Sequence, residues 1–122
     1  MKIHESAENY LETIYMLGQK QSFVRSIDIA NELNFSKPSV SVAMKNLRTS
    51  GYIQVEDNGH ISLTESGLEI AEKMYERHTV ISTWLMRLGV PKDIATEDAC
   101  RIEHVISSES FDALKSHIGT EF

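Results

Sequence analysis

Apolar residues recur at helical spacing from the start of the chain. Ala7, Tyr10, Leu11, Ile14, Tyr15 and Leu17 form one stripe across residues 4–19, and Gly18 weakens the last turn. A second, shorter helix is predicted over 27–33, with Ser26 as its N-cap and Ile29, Ala30 and Leu33 facing inward. Asn34 and Phe35 make a tight connection to a third helix. Ser36 can cap it, and Pro38 falls in its first turn, where a missing N–H costs nothing. Val40, Met44 and Leu47 are its inward positions, and Gly51 suits the left-handed residue that ends it. The period then shortens to two in 52–55 and 60–63. These segments flank Glu56-Asp57-Asn58-Gly59, whose Asn-Gly pair signals a hairpin turn. Helix, turn, helix and hairpin in that order make a winged helix-turn-helix.

Thr64 is placed to cap a long fourth helix. Leu68, Ala71, Met74, Tyr75, His78, Ile81 and Leu85 repeat along it at helical spacing, and it ends near Gly89. After Pro91 a fifth helix is predicted to run to about residue 105, and a sixth over 108–118, with ends good to about 2–4 residues. The expected class is therefore mainly α with a small β-hairpin. The fourth helix is long enough to leave one domain and enter another, which puts the boundary near residue 72, between domains 1–71 and 72–122.

The formal charge of −6 argues against a nucleic-acid partner until its distribution is considered. Residues 1–50 hold six Lys and Arg against five Asp and Glu, whereas the remainder holds six against thirteen. A weakly basic half able to face phosphate is joined to an acidic half that repels it, and bound divalent cations would relieve the mismatch. No apolar run approaches the roughly 20 residues that span a bilayer, and Met1-Lys2-Ile3-His4-Glu5 lacks an apolar leader, so a cytoplasmic protein without a membrane partner is expected. The single cysteine, Cys100, cannot form an internal disulfide.

In a helix-turn-helix the second helix of the motif lies in the major groove. Its outward positions here are Lys37, Pro38, Ser39, Ser41, Val42, Lys45 and Arg48, beginning from Ser36. The hydroxyls suit base edges and phosphates, Pro38 and Val42 suit thymine methyl groups, and the basic residues suit phosphate. No Arg or Gln is set for bidentate readout of one base, so modest direct readout with some dependence on DNA shape is expected. Arg25 and Ser26, and the hairpin tip from Asn58 to His60, are secondary phosphate-contact candidates.

Cys100, Glu103 and His104 stand at i, i+3 and i+4, which puts thiol, carboxylate and imidazole on one helical face. That donor set suits a borderline transition metal better than Mg or Ca. Asn9 and Glu12 share a face of the first helix, and His78 lies on the inward stripe of the fourth; any of these could complete a coordination sphere. The string alone does not separate a metal site from a hydrogen-bonded core or a redox-sensing thiol. Catalysis is not expected: Cys100 and His104 lie on one helix, with no oxyanion device or glycine-rich loop.

Three stretches carry a resemblance. Ser6-Ala7-Glu8-Asn9-Tyr10-Leu11-Glu12-Thr13-Ile14-Tyr15, Ser36-Lys37-Pro38-Ser39-Val40-Ser41 and Asp98-Ala99-Cys100-Arg101-Ile102-Glu103-His104-Val105-Ile106-Ser107 resemble the first helix, recognition helix and metal-binding helix of the diphtheria toxin repressor family, which includes iron-dependent repressors and manganese transport regulators. The resemblance implies that Cys100, Glu103 and His104 match ligands of the iron-type primary site and that Glu12 and His78 match ligands of the manganese-type binuclear site. Asn9 stands where the iron branch has methionine and the manganese branch aspartate. Cys100 replaces a manganese-branch glutamate, which favours Fe(II) over Mn(II). Thr96 and Ser82 replace the His and Glu of the ancillary site, and the chain is expected to be a two-domain member without the SH3-like domain.

The implied function is a metal-dependent transcriptional repressor: a winged helix-turn-helix DNA-binding domain, then a helical metal-binding and dimerisation domain. It would bind a palindromic operator as a homodimer loaded with Fe(II) or Mn(II) and control metal-homeostasis genes. Co(II), Ni(II) and Zn(II) fit the same donors in vitro. Ile102, Val105, Ile106, Phe111 and Leu114 are the expected dimer surface. The alternatives are a winged-helix regulator of a small organic ligand, and a metal-buffering protein with a vestigial DNA reader.

Overall fold

The structure, a computed structural model, describes residues 5–121, with side chains as far as Ile118. The chain runs α1 (Glu5–Lys20), α2 (Ser26–Leu33), α3 (Lys37–Thr49), β1 (Ile53–Val55), β2 (Ile61–Leu63), α4 (Glu65–Arg87), α5 (Lys92–Ile102) and α6 (Ser108–Glu121). The mainly helical class with one hairpin is the expected one. The chain divides into two compact units, the first ending at Lys73 and the second beginning at Met74. His4, expected to open the first helix, lies outside the described residues.

In the first unit, Tyr10, Leu11, Ile14 and Leu17 of α1 share a core with Ile29 and Ala30 of α2, Val40, Met44 and Leu47 of α3, and Ile53 and Ile61 of the hairpin. Ser36 caps α3 by accepting the Ser39 N–H at 3.3 Å, with Pro38 in the first turn. α2 starts one residue earlier than expected. Arg25 takes the N-cap place and Ser26 is the first helical residue, because the Asp28 carboxylate accepts the Arg25 backbone N–H at 2.9 Å. A carboxylate reaching back from N3 satisfies an orphan donor and complements the positive helix end. At the end of α3, Gly51 takes φ 84°, and Gly51 and Tyr52 donate to the carbonyls of Arg48 and Leu47.

The hairpin pairs Ile53 with Leu63 and Val55 with Ile61, leaving Gln54 opposite Ser62 on the other face. Its turn runs through Asp57 and Asn58 and then Gly59, whose φ is 88°. Gly59 N–H reaches the Glu56 carbonyl at 2.8 Å, and Glu56 N–H reaches that of His60 at 2.9 Å. Asn-Gly therefore closes a longer loop of the turn-plus-glycine type, not a two-residue primed turn. Val24, which periodicity did not mark, adds a third edge by accepting the Ile61 N–H at 2.8 Å.

Thr64 caps α4, accepting the Gly67 N–H at 3.2 Å while its hydroxyl donates to the Gly51 carbonyl at 2.7 Å and its N–H to the Tyr52 carbonyl at 3.1 Å. Gly67 is buried where a Cβ would overlap the Tyr52 carbonyl oxygen, so this glycine is set by close approach of backbone.

In the second unit, Ile81, Ala99 and Phe111 form a small core, with Val80, Leu85, Ile102, Ile106 and Leu114 packed around it. α5 ends sooner than expected: Ile102 is its last helical residue and 103–105 form a turn. Two capping devices account for this. The Arg77 guanidinium takes the carbonyls of Glu103 and Ile106, and Ser107 accepts the Ser110 N–H at 3.0 Å to start α6. Of the expected dimer surface, Phe111 is buried in its own chain, Ile102, Ile106 and Leu114 are partly buried, and Val105 is largely exposed, at 74%.

Candidate metal centre and nucleic-acid interface

The α5 end and the turn after it carry Cys100, Glu103 and His104. Glu103 keeps right-handed helical backbone angles (φ −59°, ψ −26°) and still donates its N–H to the Ala99 carbonyl, so the expected shared face survives although regular helix has ended. One donor atom from each of the three lies within 4.8 Å of the others. Ligands about 2.0–2.3 Å from a common ion lie at most about 4.6 Å apart, so these donors are close to the spacing one ion requires. Glu103 is fully buried and His104 nearly so, while Cys100 is half-buried.

The Glu103 carboxylate lies between two imidazoles. His78 Nδ1 on α4 lies 3.1 Å from one oxygen, and His104 Nε2 lies 3.3 Å from the other. A desolvated carboxylate needs compensating positive charge or hydrogen bonds. Thiol, carboxylate and two imidazoles make a mixed soft and hard donor set that fits a divalent transition metal and fits Mg or Ca poorly. On the other unit, Glu12 is buried on α1, and the Asn9 carbonyl accepts the Thr13 hydroxyl at 2.8 Å.

On α3, Lys37, Pro38, Ser39, Ser41, Val42, Lys45 and Arg48 are all exposed, Val42 at 60%. The Ser36 hydroxyl donates to that of Ser39 at 2.8 Å. Ser26, Ser41, Lys45 and Arg48, with Met44 and Val55, line a notch of about 210 Å³ among α2, α3 and β1. Neither Lys45 nor Arg48 forms an ion pair among the described residues, so the notch offers two cations and two hydroxyls to an anion. At the hairpin, Arg25 Nη2 lies 3.1 Å from His60 Nε2, and Asn58 accepts the His60 N–H at 3.1 Å. Phe23 stacks on the His60 ring at 4.1 Å. The geometry groups Arg25, Asn58 and His60 at the hairpin and Ser26, Ser41, Lys45 and Arg48 at the notch.

Comparison with known proteins matches residues 2–61 to the family model "Iron dependent repressor, N-terminal DNA binding domain" and residues 64–120 to "Iron dependent repressor, metal binding and dimerisation domain". An uncharacterized HTH-type transcriptional regulator of Methanocaldococcus jannaschii is 34% identical over 91% of this chain and 90% of its own. The transcriptional regulator MntR of Escherichia coli is also 34% identical, over 91% of this chain and 72% of its own. The chain belongs to the iron-dependent repressor family. Solved structures agree in fold: the manganese regulator SloR has a TM-score of 0.83 at 27% identity, and IdeR of T. acidophilum 0.82 at 26%, each over 98% of this chain. The chain spans 55% of the length of each of those two structures. Members of this repressor family are transcriptional regulators and not enzymes, as expected from the absence of a catalytic arrangement in the sequence. No helix among the described residues is long and apolar enough to cross a membrane.

Two residues at these sites escaped the sequence reading. Phe23 lies between helices, where periodicity assigns no face. Arg77 gave a signal that was not used: it is a charged residue three positions after Met74 and four before Ile81, on the buried stripe of α4.

Proposed function

We propose that this protein is a metal-activated transcriptional repressor of the cytoplasm, which binds a palindromic operator as a homodimer and controls metal-homeostasis genes. One observation carries the reading: in a chain of the iron-dependent repressor family, a fully buried carboxylate, Glu103, has a thiol and two imidazoles converging on it. Cys100, Glu103 and His104, with His78 beside them, would hold the ion. A bound divalent ion supplies there the positive charge that an acidic unit and a desolvated carboxylate call for. Roles for Asn9 and Glu12 as further ligands are supported by the resemblance of the first helix. Leverage on DNA affinity equals the difference in metal affinity between the DNA-competent arrangement and the others.

The thiolate of Cys100 favours Fe(II). A solved relative, the manganese regulator SloR, keeps Mn(II) as the other physiological candidate. The exposed side chains of α3 and the hairpin are the proposed DNA contacts, with Pro38, Ser39 and Val42 toward bases and Lys37, the notch and the hairpin residues toward phosphate. Dimerisation draws support from the family description of residues 64–120 and from exposed Leu88, Ile94 and Val105.

The test is fluorescence anisotropy on DNA from the gene's own upstream region, under anaerobic conditions, with chelator, Fe(II) or Mn(II). Metal is expected to raise affinity, and Cys100→Ala and His104→Ala are expected to abolish the rise. Equally tight binding in chelator would overturn the metal switch.

A further inference from the structure

We infer that Arg77 is a positioning residue of the metal centre, holding the backbone of Glu103 while its neighbour His78 holds the carboxylate. The inference rests on the metal reading proposed above. Arg77 is 5% exposed on α4. Its Nη1 donates to the Glu103 carbonyl at 3.0 Å and to the Ile106 carbonyl at 2.8 Å, and Nη2 reaches the Ser108 hydroxyl at 3.4 Å. The guanidinium carbon sits 5.4 Å from the centre of the Phe111 ring, which gives the buried charge an aromatic face.

The location of these contacts gives the role. Regular helix stops at Ile102: Glu103 keeps one last helical bond, to the Ala99 carbonyl, and with His104 it opens the turn of residues 103–105. The carbonyls at 103 and 106 bracket that turn and share Nη1, while Nη2 of the same planar group reaches the Ser108 hydroxyl, a fixed set of donors that a lysine ammonium of the same charge matches poorly. Adjacent residues of α4 thus fix Glu103 at two points: Arg77 at its carbonyl and His78 at its carboxylate, 3.1 Å away. A ligand held at both ends loses little conformational freedom when an ion binds, and Arg77 raises metal affinity by that pre-organisation. It touches no donor atom of the cluster.

The probe is Co(II) alone, added to the full chain. Its ligand-field bands report coordination geometry, and its near-ultraviolet charge-transfer band reports the Cys100 thiolate. In the parent this thiolate band is expected, and Cys100→Ala is expected to remove it. Arg77→Lys and Arg77→Gln are expected to weaken Co(II) binding about 10–100-fold and to change the ligand-field bands of the loaded protein. A merely structural arginine would lower melting temperature while leaving the loaded spectrum and affinity within about twofold of the parent, which would overturn the inference. If neither Arg77 variant folds, Phe111→Leu decides: it keeps an apolar side chain in the core and withdraws the ring from the guanidinium. Weaker Co(II) binding with altered bands then supports the role, and parental values overturn it. A parent with no thiolate band would sink the metal reading itself, and this inference with it.

Discussion

Replacing Gly67 by alanine separates the close-approach argument from ordinary helix propensity, because the two predict opposite signs. Gly67 sits in the first turn of α4 without a positive φ, so propensity alone favours alanine by up to about 1 kcal/mol. Against this, the new Cβ would overlap the Tyr52 carbonyl oxygen and lie 3.0 Å from the Tyr52 carbonyl carbon. Both are backbone atoms, so no flexible side chain can swing aside. Overpacking of this kind costs about 1–3 kcal/mol. The same carbonyl accepts the Thr64 N–H at 3.1 Å, and separating α4 from β1 sacrifices that bond, for about 1 kcal/mol more. The balance is a loss of about 1–3 kcal/mol. With a urea slope of roughly 1–3 kcal/mol per M, the unfolding midpoint followed by far-ultraviolet circular dichroism should fall by about 1 M. Operator affinity should fall as well, since the hairpin bearing Asn58 and His60 is seated on this contact. A midpoint equal to or above the parent's would refute the reasoning, because propensity would then have won.

Lys45→Ala is expected to weaken DNA binding similarly on operator and unrelated sequence and to reduce the log–log salt slope by about one. An anisotropy titration over a salt series checks this, and an unchanged slope would remove Lys45 from the phosphate contacts. Glu103→Gln keeps shape and burial but removes the charge. Calorimetry should show metal affinity falling by more than about 100-fold, beyond the effect of a supporting residue, while the metal-free protein melts no lower than the parent. Thr64→Val deletes both the cap to Gly67 and the bond to the Gly51 carbonyl, at about 1–2 kcal/mol, or a fall in melting temperature of about 5–10 °C. An unshifted melting curve would mean that solvent replaces both bonds.

What the sequence made legible was whatever local rules determine. The stripe Tyr10-Leu11-Ile14-Leu17, the Ser36 cap, the left-handed Gly51 and the Thr64 cap each rest on spacing or on backbone chemistry within a few residues, and each is found in the structure. What was missed depends on partners distant in sequence. Val24 becomes a strand edge only because Ile61 arrives beside it, and Gly67 is obligatory only because Tyr52 does. Arg77 ends α5 from 26 residues away, so periodicity ran the helix on to residue 105. The donor string Cys100-x-x-Glu103-His104 was visible, whereas the burial of Glu103 and the reach of His78 to it required the fold. Phe111 shows the converse error: an apolar residue at helical spacing reads alike whether it faces its own core or a second copy, and here it faces its own core.

The Cys100 position offers a test of metal choice that leaves the charge of the ion-bound donor unchanged. In Cys100→Asp a deprotonated thiolate gives way to a carboxylate of the same charge, so the Coulomb attraction to a divalent ion changes little and the difference reports donor softness. Aspartate is already ionised at neutral pH, whereas the thiol must release its proton to bind, so the substitution also removes a proton cost common to every metal. That common gain cancels in a ratio. Co(II) and Mn(II) affinities measured by competition against the same chelating dye should therefore show the Co-to-Mn preference falling by at least about tenfold, equivalent to about 1.4 kcal/mol. Mn(II) affinity should itself hold or rise. The reasoning requires Cys100 Sγ to touch the ion; if the ratio stays at the parent value while His104→Ala abolishes binding, the thiol is a neighbour of the site and its apparent bias toward Fe(II) disappears.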